Sequence, residues 1–101
     1  MSSTITTGTT QSSAANAANS TIVTATASCP AGKSLFGGGG RVVTSNGTNP
    51  GKVAIQQSYP SAATTWTAVG VVTQDGGNGA SVTSLGAGVT MDVTAYVICS
   101  S

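Results

Sequence analysis

The chain has 101 residues, room for one domain, with 5% charged residues against roughly 25% in ordinary soluble chains. Its net charge is +1, from Lys33, Arg41 and Lys52 against Asp75 and Asp92, and three scattered cations do not make the dense basic surface that nucleic-acid binding requires. Histidine and glutamate are absent, which argues against acid–base catalysis, and no run approaches the ~18 apolar residues of a membrane-spanning helix.

Serine and threonine supply 31 residues, glycine 14 and alanine 14, while valine and isoleucine carry most of the apolar content. β-branched residues suit half-buried pleated surfaces, so the composition predicts an all-β chain. Alanine, glycine and valine bury little area each. A small scaffold with so thin a core usually recruits a disulfide, a metal or oligomerisation. No metal-ligand set or cofactor motif is visible, which leaves a disulfide and an oligomer.

Residues 1–20 form a polar, uncharged arm in which Ile5 is the one sizeable apolar side chain after the start. Alone it cannot bury enough surface to fold. Two readings stand: a disordered tail, or an arm that orders on a neighbouring subunit through Ser2, Ile5, Thr7, Thr10 and Gln11. It has neither the basic start nor the apolar run of a signal peptide, which predicts a chain made in the cytoplasm and not exported by the usual route.

Residues 21–101 read as the folded domain. Thr21 to Cys29 alternates as a strand, with Val23, Ala25, Ala27 and Cys29 on one face. A second strand runs from Lys33 to Thr44 across Gly37, Gly38, Gly39 and Gly40. These glycines mark a bulge, or room for a bulky neighbour such as Trp66 or for a close subunit contact. A turn-rich loop follows over 44–51. The third strand is Lys52 to Tyr59, with Val53, Ile55, Gln57 and Tyr59 on one face, and Pro60 to Thr64 turns the chain. The fourth is Thr65 to Gln74, with Trp66, Ala68, Gly70 and Val72 on one face. Asp75 to Gly79 has the composition of a hairpin turn. A short strand over 80–85 and a turn at Gly86 to Gly88 precede the longest strand. In that strand Val89, Met91, Val93, Ala95, Val97 and Cys99 alternate with polar and aromatic residues. About six strands without helical periodicity predict a small antiparallel β-sandwich or barrel, jelly-roll-like, carrying an extended N-terminal arm.

Few constellations suggest chemistry. Gly32, Lys33 and Ser34 match the end of a phosphate-binding loop, but the glycine needed five residues earlier is replaced by Ala27, and the context is strand to strand. Asp75 and Asp92 read as a turn former and a solvated face residue. No base is visible to activate a serine or threonine, so the chain is expected not to be an enzyme. Asn19 to Thr21 and Asn46 to Thr48 match a glycosylation pattern that means little without export. Cys29 and Cys99 end two strands in inward registers. They either form a disulfide closing most of the domain or remain buried thiols, as the cytoplasm would keep them. Tyr59 and Trp66 flank the Pro60 turn, where they would contact a ligand or, for Trp66, fix the core.

The ordered set Ser28-Cys29-Pro30-Ala31-Gly32-Lys33, Gly37-Gly38-Gly39, Ser58-Tyr59-Pro60, Trp66-Thr67-Ala68-Val69 and Ala95-Tyr96-Val97-Ile98-Cys99 resembles small β-domains of phage virion and bacterial surface proteins. Some of those follow collagen-like stalks in tail fibres. The likeness spans residues 22–99 and implies a non-enzymatic, trimerising or binding domain. This chain shows no collagen-like stalk, and a β-domain with a polar arm resembles a capsid decoration protein more closely. The expected function is therefore a virion structural protein on the outside of a phage shell. Its partners would be the major capsid protein and two further copies of itself, with neither nucleic acid nor membrane involved. The alternative is a receptor-binding or adhesin-type tip that recognises a cell-surface glycan or protein through Tyr59 and Trp66.

Overall fold

The computed structural model describes residues 2–45, 53–73, 85 and 88–100. Seven strands follow in order: β1 (Ser3–Thr7), β2 (Gln11–Ser12), β3 (Ile22–Ser28), β4 (Leu35–Thr44), β5 (Val53–Ala62), β6 (Thr65–Val72) and β7 (Met91–Ser100). Among the described residues there is no helix, and none long and apolar enough to cross a membrane. Most of the predicted loop over 44–51, the turn from Asp75 to Gly79 and the predicted strand over 80–85 apart from Leu85 lie outside the described residues.

Strand β7 holds the first sheet together. Its alternation is complete: Met91, Val93, Ala95, Val97 and Cys99 are buried, while the residues between them face outward. One edge of β7 pairs with β1, from Ser3 opposite Ser100 to Thr7 opposite Tyr96, and then with β2, where Gln11 meets Val93. The other edge pairs with β4, from Leu35 opposite Cys99 to Thr44 opposite Met91. The second sheet has the order β3-β6-β5. All pairings are antiparallel. Across the interface β7 packs on β3 and β6, and β4 packs on β5 and β6. The result is a two-layer sandwich, not a closed barrel: within the described residues β4 and β5 each keep one edge unpaired.

The core between the layers is built from small side chains, Ala25, Ala27, Ala68 and Ala95, with Val72, Leu85, Met91, Val93 and Val97 as the larger ones. Gly70 shows how tightly the layers meet, since a Cβ there would lie 2.6 Å from Val93 Cγ2. The disulfide Cys29–Cys99, with Cα atoms 5.7 Å apart, ties the end of β3 to the end of β7 and so joins one sheet to the other.

The structure departs from the sequence reading in two places. First, residues 1–20 do not stand apart as an extended arm. Ser3–Thr7 and Gln11–Ser12 are strands of the β7 sheet, and beyond them the Ser13 and Asn16 amides donate to the Met91 and Val89 carbonyls at 2.9 and 2.8 Å. Ala17 enters the core, and Ser20 reaches the other sheet by donating to the Val72 carbonyl. Edge pairing satisfies backbone groups without burying side chains, so a segment whose side chains stay mostly exposed still forms a strand. Gly8 marks the closest approach, because a Cβ there would run into the Thr26 carbonyl of β3.

Second, β5 does not keep one face. Its register against β6 shifts between Ile55 and Gln57. Val53 and Ile55 pair with Val72 and Gly70, but beyond the bulge Gln57 and Tyr59 pair with Val69 and Thr67, on the opposite face. The predicted turn from Pro60 is shorter than expected, because β5 continues to Ala62 through a second shift. Proline is tolerated there because β5 is an edge strand.

Candidate functional site

Three surfaces collect the side chains with binding chemistry. The first is the outer face of the β7 sheet. The register brings Ile5 opposite Ile98 and Thr7 opposite Tyr96, all pointing away from the core. Ile5 is 67% exposed and Tyr96 37%. On the far side of β7, Gly39 lies opposite Tyr96, and the Tyr96 ring covers it so closely that a Cβ at Gly39 would collide with the ring. Phe36, 50% exposed, is the extra residue of the bulge that begins β4. Arg41 and Val43 complete the β4 row opposite Thr94 and Asp92. The Asp92 carboxylate accepts hydrogen bonds from Ser12 Oγ and Thr90 Oγ1, each at 2.8 Å, so it is held in place by the arm and by its own strand.

The residues expected to make a partner-binding arm divide on this framework. Ile5 and Thr7 stand on the outer face. Thr10 Oγ1 and Thr94 Oγ1 share a hydrogen bond of 2.7 Å, Gln11 pairs with β7, and Ser2 is exposed just ahead of β1. The backbones of Ile5, Thr7 and Gln11 are paired with the chain's own β7 rather than extended from the domain.

The second surface is on the other sheet. Gln57, Ser58 and Tyr59 line a shallow depression of about 420 Å³, and Tyr59 is exposed. Trp66 does not join it. Tyr59 pairs with Thr67 on the outer face, whereas Trp66 lies inward with Ala68 and Gly70. The indole covers Gly38, whose Cβ would lie 2.6 Å from Trp66 Cγ, and its Nε1–H donates to Ser58 Oγ at 2.9 Å. Trp66 thus plugs the end of the core over the glycine run. Ser58, which the sequence did not single out, fixes the ring.

The third surface is a cleft of about 250 Å³ at the disulfide end, lined by Thr4, Thr6, Pro30, Lys33, Cys99 and Ser100. It was not predicted, because its walls come from the arm, a turn and the last strand. Only the pairing of β1 with β7 brings them together. Gly32, with φ of +83°, makes the turn that carries Lys33, whose amide donates to the Pro30 carbonyl at 3.0 Å.

Among the described residues no group of three or more histidine, cysteine or acidic side chains could hold a metal ion. Asp92 is tied into hydrogen bonds on the outer face. The three surfaces offer contact, hydroxyl and single-charge chemistry. No family model, no curated protein and no solved structure matches the chain.

Proposed function

We propose that the chain is a non-enzymatic structural protein of a phage virion, a decoration subunit bound to the outer surface of the major capsid protein shell. It would be made in the host cytoplasm and assemble as a trimer of identical copies. The observation that favours this reading is the outer face of the β7 sheet, where exposed Ile5 and Tyr96 stand on a surface whose charges, among the described residues, are one arginine and one aspartate. A broad, weakly charged sheet face with exposed apolar and aromatic side chains has the chemistry of a protein–protein contact. In this reading the arm acts from within the sheet, offering Ile5 as part of β1 instead of spreading over the shell.

The test is co-sedimentation of the full chain with purified shells of the phage that encodes it. The double variant Ile5→Asp/Tyr96→Ser is expected to stay in the supernatant while melting close to the parent. A variant that decorates shells as tightly as the parent would sink the proposal.

The exposed Tyr59 beside Gln57 favours a second reading, a receptor-binding or adhesin tip. It predicts a glycan-array signal that disappears in Tyr59→Ala. Trp66, committed to the core, is not part of that surface.

A further inference from the structure

We infer that the cleft at the disulfide end is a binding site for a single carboxylated sugar ring of the hexuronic acid class. It lies apart from both surfaces discussed above and does not rest on either functional reading.

Thr4 and Thr6 of β1 pair with Cys99 and Val97, whose side chains are buried, so both threonines point to the inner side of the sheet. β1 lies at the sheet edge, and there the opposing wall is the turn carrying Pro30 and Lys33. Thr4, Thr6 and Lys33 therefore line a common space, and none of the three side chains makes a hydrogen bond to another described side chain or carbonyl. Ser100 Oγ accepts from the Ser34 amide at 2.8 Å, which orients it and leaves its own proton to donate. Pro30 and Cys99 supply an apolar wall.

Among the described residues the lining contains one cation and no carboxylate. Asp92 lies eight residues along β7 from Ser100, about 26 Å away at the rise of an extended strand. The site is thus set for one negative charge, with hydroxyl groups around it that both donate and accept. Sugar hydroxyls match that character, and the C–H face of a pyranose matches the proline and disulfide wall. A volume of about 250 Å³ falls below the range of about 300–1,000 Å³ typical of drug-sized ligands, which suits one ring and not an oligosaccharide. A small inorganic anion would leave the apolar wall and most of the volume unused.

The experiment is an NMR titration of the ¹⁵N-labelled full chain with methyl β-D-glucuronide. Methyl β-D-glucoside serves as the neutral control and acetate as the bare carboxylate. The expected result is saturable shifts of the Thr4, Thr6, Lys33 and Ser100 amides with a Kd of order 1 mM. Both controls should bind at least about tenfold more weakly, as should Lys33→Gln, from loss of one charge-assisted hydrogen bond. Thr6→Val, which keeps shape and charge, should also weaken binding, and Arg41→Gln on the other face of the sheet should not. Absence of saturable shifts at these amides overturns the inference. So does equal binding of acetate, which would make the cleft a simple anion site, and so does undiminished binding by Lys33→Gln with its spectrum otherwise intact.

Discussion

Each of the four consecutive glycines meets a different environment, and that difference can be measured. A Cβ at Gly37 would touch nothing within 4 Å, whereas one at Gly38 would enter the Trp66 ring and one at Gly40 would lie 2.5 Å from Ala68 Cβ. Gly37→Ala should therefore be neutral or stabilising by up to about 1 kcal/mol, through the lower entropy of the unfolded chain. Gly38→Ala should cost about 1–3 kcal/mol by overpacking. Urea midpoints of the two variants check this, and equal midpoints would contradict the packing. Gly39 lies on the other face under Tyr96, so Gly39→Ala should be costly in the parent and nearly free in a Tyr96→Ala background. That the run makes room for a bulky side chain could be read from residue types. Which glycine serves Trp66 and which serves Tyr96 could not, because it depends on register across the sandwich and on the bulge at Phe36.

Strand β7 shows itself in the sequence because it is buried on one face for its whole length, and burial on one face forces a period of two. β3 was legible for the same reason, whereas β6 is buried on both faces, with Thr67 and Val69 covered as well as Ala68 and Val72. β1 was not legible, since an edge strand gains its stability from the β7 backbone and leaves serines, threonines and Ile5 in solvent without a pattern. The β5 bulge was equally silent: Gln56 and Gln57 look like any polar strand residues, yet the extra one turns Tyr59 to the opposite face from Val53. The candidate surfaces inherit these limits. Tyr59 and Ile5 were found as residues, but the cleft beside Lys33 needs the pairing of β1, which no local signal carries. The docking of β1 has a direct consequence. Deleting residues 2–12 should uncover one edge of β7, speed hydrogen exchange at Val97 and Cys99, and lower stability by a few kcal/mol at a net ~1 kcal/mol per hydrogen bond. Unchanged exchange at those amides would mean that β1 contributes nothing to the sheet.

For the molecule as a whole, the question is how so small a core holds two sheets together. The largest fully buried side chains are Leu85, Met91 and a few valines, each contributing about 1.5–3 kcal/mol before the entropy of ordering is subtracted. The Cys29–Cys99 bond acts on the other side of the balance. It closes a separation of 70 residues and crosses between the layers, so it restricts most of the unfolded chain, by about 4 kcal/mol in the chain-entropy model. Domains of this size have about 5–15 kcal/mol in total, so the bond is a large share of what keeps the sandwich folded. Its position matters as well as its loop length. Cys99 is opposite both Thr4 of β1 and Leu35 of β4, so the bond anchors the point where the arm, the first sheet and the end of β3 meet. Cys29→Ser/Cys99→Ser should lower the unfolding free energy by about 4 kcal/mol, a drop in Tm of roughly 15–30 °C. It should also loosen the disulfide end, with exchange rising first at Thr4, Thr6 and Lys33 and later at the Met91 end of β7. Thermal unfolding with and without reductant, followed by residue-resolved exchange, separates the two effects. A loss below about 1 kcal/mol would place the stability of the sandwich in its alanine and valine packing instead of in its cross-link.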